Sequence, residues 1–419
     1  MASVTGVSCC WTDFVDTHYR GAMANDQAPR SDLPSVGAVR DNHRFDAGPL
    51  EAWMAANVEG SAGPLDIAQF NRGASNPTFL LTAGEGRFVL RKKPPGALLP
   101  SAHQVDREYR VMKALGEAGF PVPPMRALCE DERVIGSAFY VMDFMEGRIF
   151  RDARLPGLAP AERAAIYDDL NATLARLHAV DWRAAGLGTF GRPGGYFQRQ
   201  VARWIAQYRG AQTEDMPDME RLIAELPARA PADDSVTIAH GDYRPENVMF
   251  HLTEPRVIAV LDWELSTLGA PQADIAYNCI LWHSRSESWG SLVATDFAAT
   301  GIPDEGDYVA AYCRRTGRDG IADFDVWLAF SLFRLASIGQ GVFKRGLDGI
   351  GTQAAAGRDN SQTRALAGTA VEIRERYGAR AAGAGGRAPA CVSIPAFTSA
   401  PRRAMIAESQ IHTIRPMAV

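Results

Sequence analysis

Apolar positions in the first third of this chain alternate with polar ones. In the rest they recur every three to four residues. Leu65-Asp66-Ile67-Ala68-Gln69-Phe70 has period two, and the β-prone runs Thr78–Thr82 and Arg87–Arg91 flank Gly84-Glu85-Gly86, the pattern of a hairpin. Val105–Ala118 has helical spacing at Val111, Leu115 and Ala118, and Ala138–Phe144 is another apolar strand. From about Pro160 onward the pattern predicts helices at Ala161–Val180, Tyr196–Gly210, Met219–Leu226, Tyr308–Thr316, Phe324–Phe343 and Thr363–Tyr377. Three short apolar runs interrupt them: Val236–Ala239, Val248–His251 and Val257–Leu261. The prediction is an α+β protein with a small β-rich lobe carrying one helix (46–145) ahead of a larger, mainly helical lobe (146–378). Residues 1–45 are polar and aperiodic and read as a flexible leader, with Met23 an alternative start. Residues 379–419 turn to Ala, Gly, Arg and Pro and read as a weakly ordered tail.

Composition narrows the class. The 419 residues suffice for two lobes, and 46% hydrophobic with 22% charged residues is an ordinary globular balance. A net charge of −5 weighs against nucleic-acid binding. No unbroken apolar run reaches the roughly 18 residues of a membrane helix, and the N-terminus lacks a signal-peptide pattern, so no membrane partner is expected. Cys9, Cys10, Cys129, Cys279, Cys313 and Cys391 form no metal-ligand spacing, which favours a reduced, cytoplasmic setting.

The chemistry concentrates in His240-Gly241-Asp242-Tyr243-Arg244-Pro245-Glu246-Asn247 and in Asp262-Trp263-Glu264. An acid is followed five residues on by an amide, and fifteen after that by a second acid. Phosphoryl transfer from a nucleotide needs such a set: one carboxylate for the attacking hydroxyl, and an amide oxygen with a second carboxylate for Mg²⁺. The flanking runs give strand, loop, strand, turn, strand, acid. Asn71-Arg72-Gly73-Ala74-Ser75-Asn76 joins two strands; small residues such as Gly73 and Ser75 let backbone N–H groups approach phosphate oxygens, although an ordinary turn has the same composition.

These words, with Arg91-Lys92-Lys93-Pro94-Pro95-Gly96, Ser101-Ala102-His103, Asp106-Arg107-Glu108-Tyr109 and Ala259–Gly269, resemble the aminoglycoside phosphotransferase and choline kinase-like family. That family is a branch of the protein-kinase-like fold. The likeness is greatest to the phosphotransferase domains related to acyl-CoA dehydrogenase family members ten and eleven, and it runs from about Leu65 to about Tyr377. The resemblance implies an ATP- and Mg²⁺-dependent kinase. Asp242 would be the catalytic carboxylate, Arg244 would stabilise the moving phosphoryl group or pair with Glu246, and Asn247, Asp262 and Glu264 would face the metal. Arg91, with Lys92 as runner-up, would hold phosphate, and Glu108 would pair with Arg91. Gly73, Ser75 and Asn76 would contact phosphate. Met142, Asp143 and Met145 would form the adenine hinge, the last two through backbone atoms. His240 reads as a scaffold residue, and Asp274 as the acid bracing the catalytic loop.

Two departures bear on the acceptor. Gly241 stands where protein kinases carry Arg, and no Ala-Pro-Glu word follows. A small-molecule hydroxyl acceptor is therefore expected, a hydroxy acid or hydroxyacyl-CoA within the resembling branch. The alternatives are an aminoglycoside or other small-alcohol kinase, and a nucleotide-binding pseudokinase. Trp204, Tyr208, Trp282, Trp327 and Phe343 stand at helical spacing, which suits core packing before an acceptor pocket. The sequence leaves the oligomeric state open.

Overall fold

The computed structural model describes residues 35–71, 76–94, 104–285, 291–348 and 359–383, with side chains as far as 377. The alternating segments of the first lobe form one antiparallel sheet. Its strands are β1 (Val36–Gly37), β2 (Leu65–Phe70), β3 (Thr78–Ala83), β4 (Gly86–Lys92), β5 (Met125–Cys129) and β6 (Phe139–Asp143), in spatial order β1-β2-β3-β4-β6-β5. Period two sorts the side chains of β4. Phe88 and Leu90 enter a core with Leu50, Met54 and Val58 of helix α1 (Ala47–Asn57), and Lys92, on the same face, lies over the Phe45 ring. Arg91 points to the other face, toward α2 (Val105–Glu117).

The expected leader extends too far: Val36 and Gly37 pair with Phe70 and Gln69, and Phe45 packs edge-on against Phe79. Among the described residues the first lobe also has two α-helices rather than one. Helix α1 escapes detection because Gly48 and Pro49 stand in its first turn and its apolar residues do not gather into one stripe. Asp46 caps it by accepting from the Gly48 N–H.

The second lobe carries β7 (Arg148–Ile149), α3 (Pro160–Ala179), α4 (Tyr196–Ala211), α5 (Pro217–Glu225), β8 (Thr237–Ala239), β9 (Val248–Phe250), β10 (Val257–Val260), β11 (Thr267–Gly269), α6 (Pro271–Cys279), α7 (Phe297–Thr300), α8 (Glu305–Thr316), α9 (Phe324–Leu347) and α10 (Ser361–Gly383). A two-lobe α+β architecture with a small sheet lobe and a larger helical lobe is thus present. Two small antiparallel sheets, β10-β9-β7 and β11-β8, frame the loop between β8 and β9. Helix α9 packs against α4, α6 and α10. It is long and apolar enough to cross a membrane by composition, but 89% of its most apolar window is buried inside the protein, so it reads as a core helix.

Trp204, Tyr208, Trp282 and Trp327 are buried core residues; Trp282 packs on Tyr167 and Tyr308, and Trp327 on Phe197 and Phe330. Cys129, Cys279 and Cys313 are free and buried. Cys9, Cys10 and Cys391 lie outside the described residues, as does most of the expected tail, whose first residues continue α10 to Gly383.

Candidate active site

The loop from His240 to Asn247 is held from several elements at once. At its entry, Asp274 on α6 accepts from the backbone N–H groups of His240 (2.6 Å) and Gly241 (2.8 Å). Burial pushes the Asp274 carboxyl up, but hydrogen bonds and charge from His178, with His240 and the Gly241 N–H, outweigh it and leave the group below the usual aspartate value. His240 Nδ1 accepts from Asp242 N–H (3.1 Å), so the ring carries its proton on Nε2, which donates to Leu261 O (2.9 Å). This imidazole ties the loop to the end of β10 and leaves no nitrogen for base chemistry. Gly241 has φ +83°, and a Cβ there would lie 2.8 Å from Leu265 O. The glycine that replaces the kinase arginine is therefore demanded by the turn.

Asp242, so positioned, is buried with both carboxylate oxygens engaged. Oδ2 accepts from Asn247 Nδ2 at 2.7 Å, and Oδ1 accepts from the Tyr277 hydroxyl. Arg244 Nε stands 4.0 Å from Oδ1, while its guanidinium pairs with Glu246. Of the roles weighed for Arg244 in the sequence, the pairing with Glu246 is present. Burial raises the Asp242 carboxyl, and Arg244 and Tyr277 only partly offset this, so it sits above the ordinary aspartate value. Asn247 also donates to Asp242 O at 2.9 Å. With its amide nitrogen fully occupied, its Oδ1 is left as an acceptor.

Asp262 emerges from β10 in the left-handed region, φ +65°, an unusual conformation for a residue with a side chain and one that concentrates at functional positions. Its Oδ1 lies 3.0 Å from Arg91, which also reaches Glu264 at 3.3 Å and, through Nε, Glu108 at 3.2 Å. One guanidinium therefore faces three carboxylates. The cluster is largely buried.

Glu108 accepts from Tyr140 Oη (3.1 Å) and Asn76 Nδ2 (2.8 Å). Burial nevertheless pushes its carboxyl up to about 7, with Arg91 only partly offsetting the loss of solvent. A folded-state value above the ordinary 4.5 contributes stability that is full below about 4.5 and is lost as pH rises through 7. Glu108→Gln should remove that slope. Melting of the ligand-free protein between pH 4.5 and 7.5 should show the wild type losing stability relative to the variant as pH rises, and a constant difference would contradict this assignment.

Two placements differ from, or lie beyond, the sequence reading. Gly73 and Ser75 lie outside the described residues. Asn76, expected to contact phosphate, is buried and turned inward onto Glu108, so its side chain supports the ion pair. Asp143 spends its carboxylate on Arg126, at 2.5 and 2.8 Å, and pairs through its backbone with Phe88, while Met142 faces Val89 across the β4–β6 ladder and Met145 follows the strand's end. Lys92, the runner-up to Arg91, is on the opposite face of β4. Tyr277 and Arg334 were missed as site residues. Arg334, on α9, donates to Gly241 O at 2.5 Å and lies over the Tyr277 ring at 5.3 Å. Tyr277 had one available signal, its position three residues after Asp274 on the same helix face.

Comparison with known proteins bears on the fold and the family. Residues 66–312 match the phosphotransferase enzyme family. Acyl-CoA dehydrogenase family member 10 of Mus musculus is 43% identical over 352 residues, covering 83% of this chain and 33% of that protein. Family member 11 of Gallus gallus is 44% identical over 352 residues, covering 82% and 45%. This chain thus spans less than half the length of either relative. Among solved structures, a Ralstonia eutropha protein provisionally called an aminoglycoside phosphotransferase superposes with a TM-score of 0.71 at 49% identity, covering 78% of this chain and 99% of that one. Choline kinase from Cryptosporidium parvum shares the fold at 11% identity, with a TM-score of 0.54 over 80% and 97% of the two chains.

The fold is the protein-kinase-like fold of solved phosphotransferases. The chain belongs to the phosphotransferase enzyme family.

Proposed function

We propose that this protein transfers the γ-phosphate of ATP, in a Mg²⁺-dependent reaction, to a hydroxyl of a small acidic molecule, a hydroxy acid or its CoA thioester. The observation that carries the proposal is that Asn247 binds Asp242, and Asp262, held on Arg91, lies within electrostatic reach of Asp242 and follows Leu261, whose N–H donates to Asn247 O. Asn247 Oδ1 and the Asp262 carboxylate are hard oxygen donors, and Glu264 adds a third nearby. Mg²⁺ commonly takes one or two carboxylates and completes its shell with phosphates and water. When bound, the ion would neutralise phosphate charge. Asp242 would orient the acceptor hydroxyl or take its proton, and Arg244, 4.0 Å away, would steady the charge that moves. Arg91 would exchange part of its contact with Asp262 and Glu264 for a phosphate oxygen, with Glu108 retaining it. The backbone around Asp143 and Met145 would receive adenine, and Gly73 and Ser75 the phosphates.

In the mouse and chicken relatives the matching segment is joined to chain named for acyl-CoA chemistry, which supports an acyl-type acceptor. Nucleotide use is supported by the shared fold of the phosphotransferase APH(4)-Ia, solved with ADP and hygromycin B.

Thermal unfolding with ATP, with Mg²⁺ and with both tests the nucleotide site. A ligand at 100 times its Kd adds about 2.7 kcal/mol. The expected result is a raised Tm that needs both components; no shift at millimolar Mg·ATP would favour a scaffold without nucleotide binding.

A further inference from the structure

We propose that Tyr277 is a positioning residue for phosphoryl transfer: with Asn247 it fixes the plane of the Asp242 carboxylate, and Arg334 holds both the phenol and the loop. The inference rests on the kinase reading above for its functional consequence, but its geometric part stands alone.

A carboxylate held by one donor can still turn about its Cβ–Cγ bond. Asp242 is held at both oxygens by donors from different elements, Asn247 Nδ2 from the loop itself and Tyr277 Oη from α6. Such a pair of donors leaves one orientation of the carboxylate plane. The phenol is in turn confined. Tyr277 is 3% exposed, its helix is anchored to the loop through Asp274, and the Arg334 guanidinium covers its ring. Arg334 also donates to Gly241 O, so one side chain from α9 fixes the backbone just before Asp242 and the ring that orients it. Its guanidinium carbon lies 5.6 Å from the centre of the Trp204 ring. The chain of contacts Trp204–Arg334–Tyr277–Asp242 joins the buried core of the helical lobe to the carboxylate.

The phenol has a second consequence. By donating to Oδ1 it occupies one lone-pair direction and leaves the other for the acceptor hydroxyl. Loss of the phenol would free the carboxylate to rotate toward Arg244, whose Nε is 4.0 Å from the same oxygen. An acceptor hydroxyl would then meet a misdirected group, which costs rate rather than binding.

The test is Tyr277→Phe, which removes one oxygen and keeps the ring beneath Arg334. Three quantities are read: Tm, the steady-state constants for transfer from Mg·ATP to the hydroxy acid the wild type uses (or to water if it uses none), and the crystal structure of the variant. The expected result is a kcat reduced about 10- to 100-fold with KM values and Tm close to wild type, and an Asp242 side chain turned or split between conformers. Unchanged kcat with an unmoved Asp242 would overturn the proposal. So would a parallel fall of kcat and Tm with Asp242 unmoved, since a packing role alone produces it. If the wild type turns over no Mg·ATP at all, the kinase reading fails, and the crystal structure alone decides whether Tyr277 orients Asp242. Arg334→Met provides a second check: Asp242 and Tyr277 should both be displaced, and an unmoved pair would contradict the role given to Arg334.

Discussion

Asp242→Ala is expected to lower kcat by about 100- to 10,000-fold, the range for removing a positioned proton acceptor, while leaving the affinity for Mg·ATP largely intact. The asymmetry follows from the contacts. Asp242 touches Asn247, Tyr277 and, more distantly, Arg244, and its carboxylate makes none of the contacts proposed to hold nucleotide. The stability effect should be small because two terms oppose. The variant leaves the Tyr277 hydroxyl and an Asn247 N–H without that acceptor, at about 1–3 kcal/mol each if water cannot enter. It also removes a buried carboxylate whose desolvation already raises its pKa. Rapid-mixing kinetics with nucleotide titration checks both halves. Equal loss of turnover and nucleotide affinity would place Asp242 on the metal instead.

Asp262→Asn is expected to act in the opposite sense, raising the Kd for Mg·ATP by about 10- to 100-fold, or about 1.4–2.7 kcal/mol. Asparagine tolerates the left-handed backbone at this position, so the change is one of charge rather than conformation. It removes one of the three carboxylates around Arg91, leaving Glu108 and Glu264 to hold the guanidinium. Affinity for ATP without metal should therefore hold or improve slightly. Calorimetric titration of ATP with and without Mg²⁺ separates these outcomes. A variant that binds Mg·ATP as the wild type does would remove Asp262 from the metal.

Much of this site was legible in the sequence because its chemistry is local. Asp242, Asn247 and Asp262 lie within 21 residues of chain, between apolar runs whose length and β-branched content mark them as strands. The acid that braces the loop, Asp274, follows in the same stretch. The Arg91–Glu108 pair could be expected because β4 alternation and α2 spacing each offer one candidate face. What was hidden depends on distance or on missing pattern. Arg334 lies 93 residues from the Gly241 carbonyl it binds and sits inside a 24-residue helix that reads simply as core. Lone arginines in apolar helices carry no sign of their partner. Strand β1 has two residues and takes its structure from its neighbour β2, so period-two reading has nothing to count. Loop composition speaks for the Asn76 backbone and says nothing of its side-chain amide, which donates to buried Glu108.

Transfer of a γ-labelled phosphate from Mg·ATP tests the central claim most directly, offered in parallel to hydroxy acids, their CoA thioesters and aminoglycosides. The account predicts label in a phosphomonoester of an anionic hydroxy compound, dependent on Mg²⁺ and abolished in Asp242→Ala. Label that appears on aminoglycosides alone would contradict the acceptor class, and label that stays in ATP or appears only as inorganic phosphate with every acceptor would contradict the kinase reading itself.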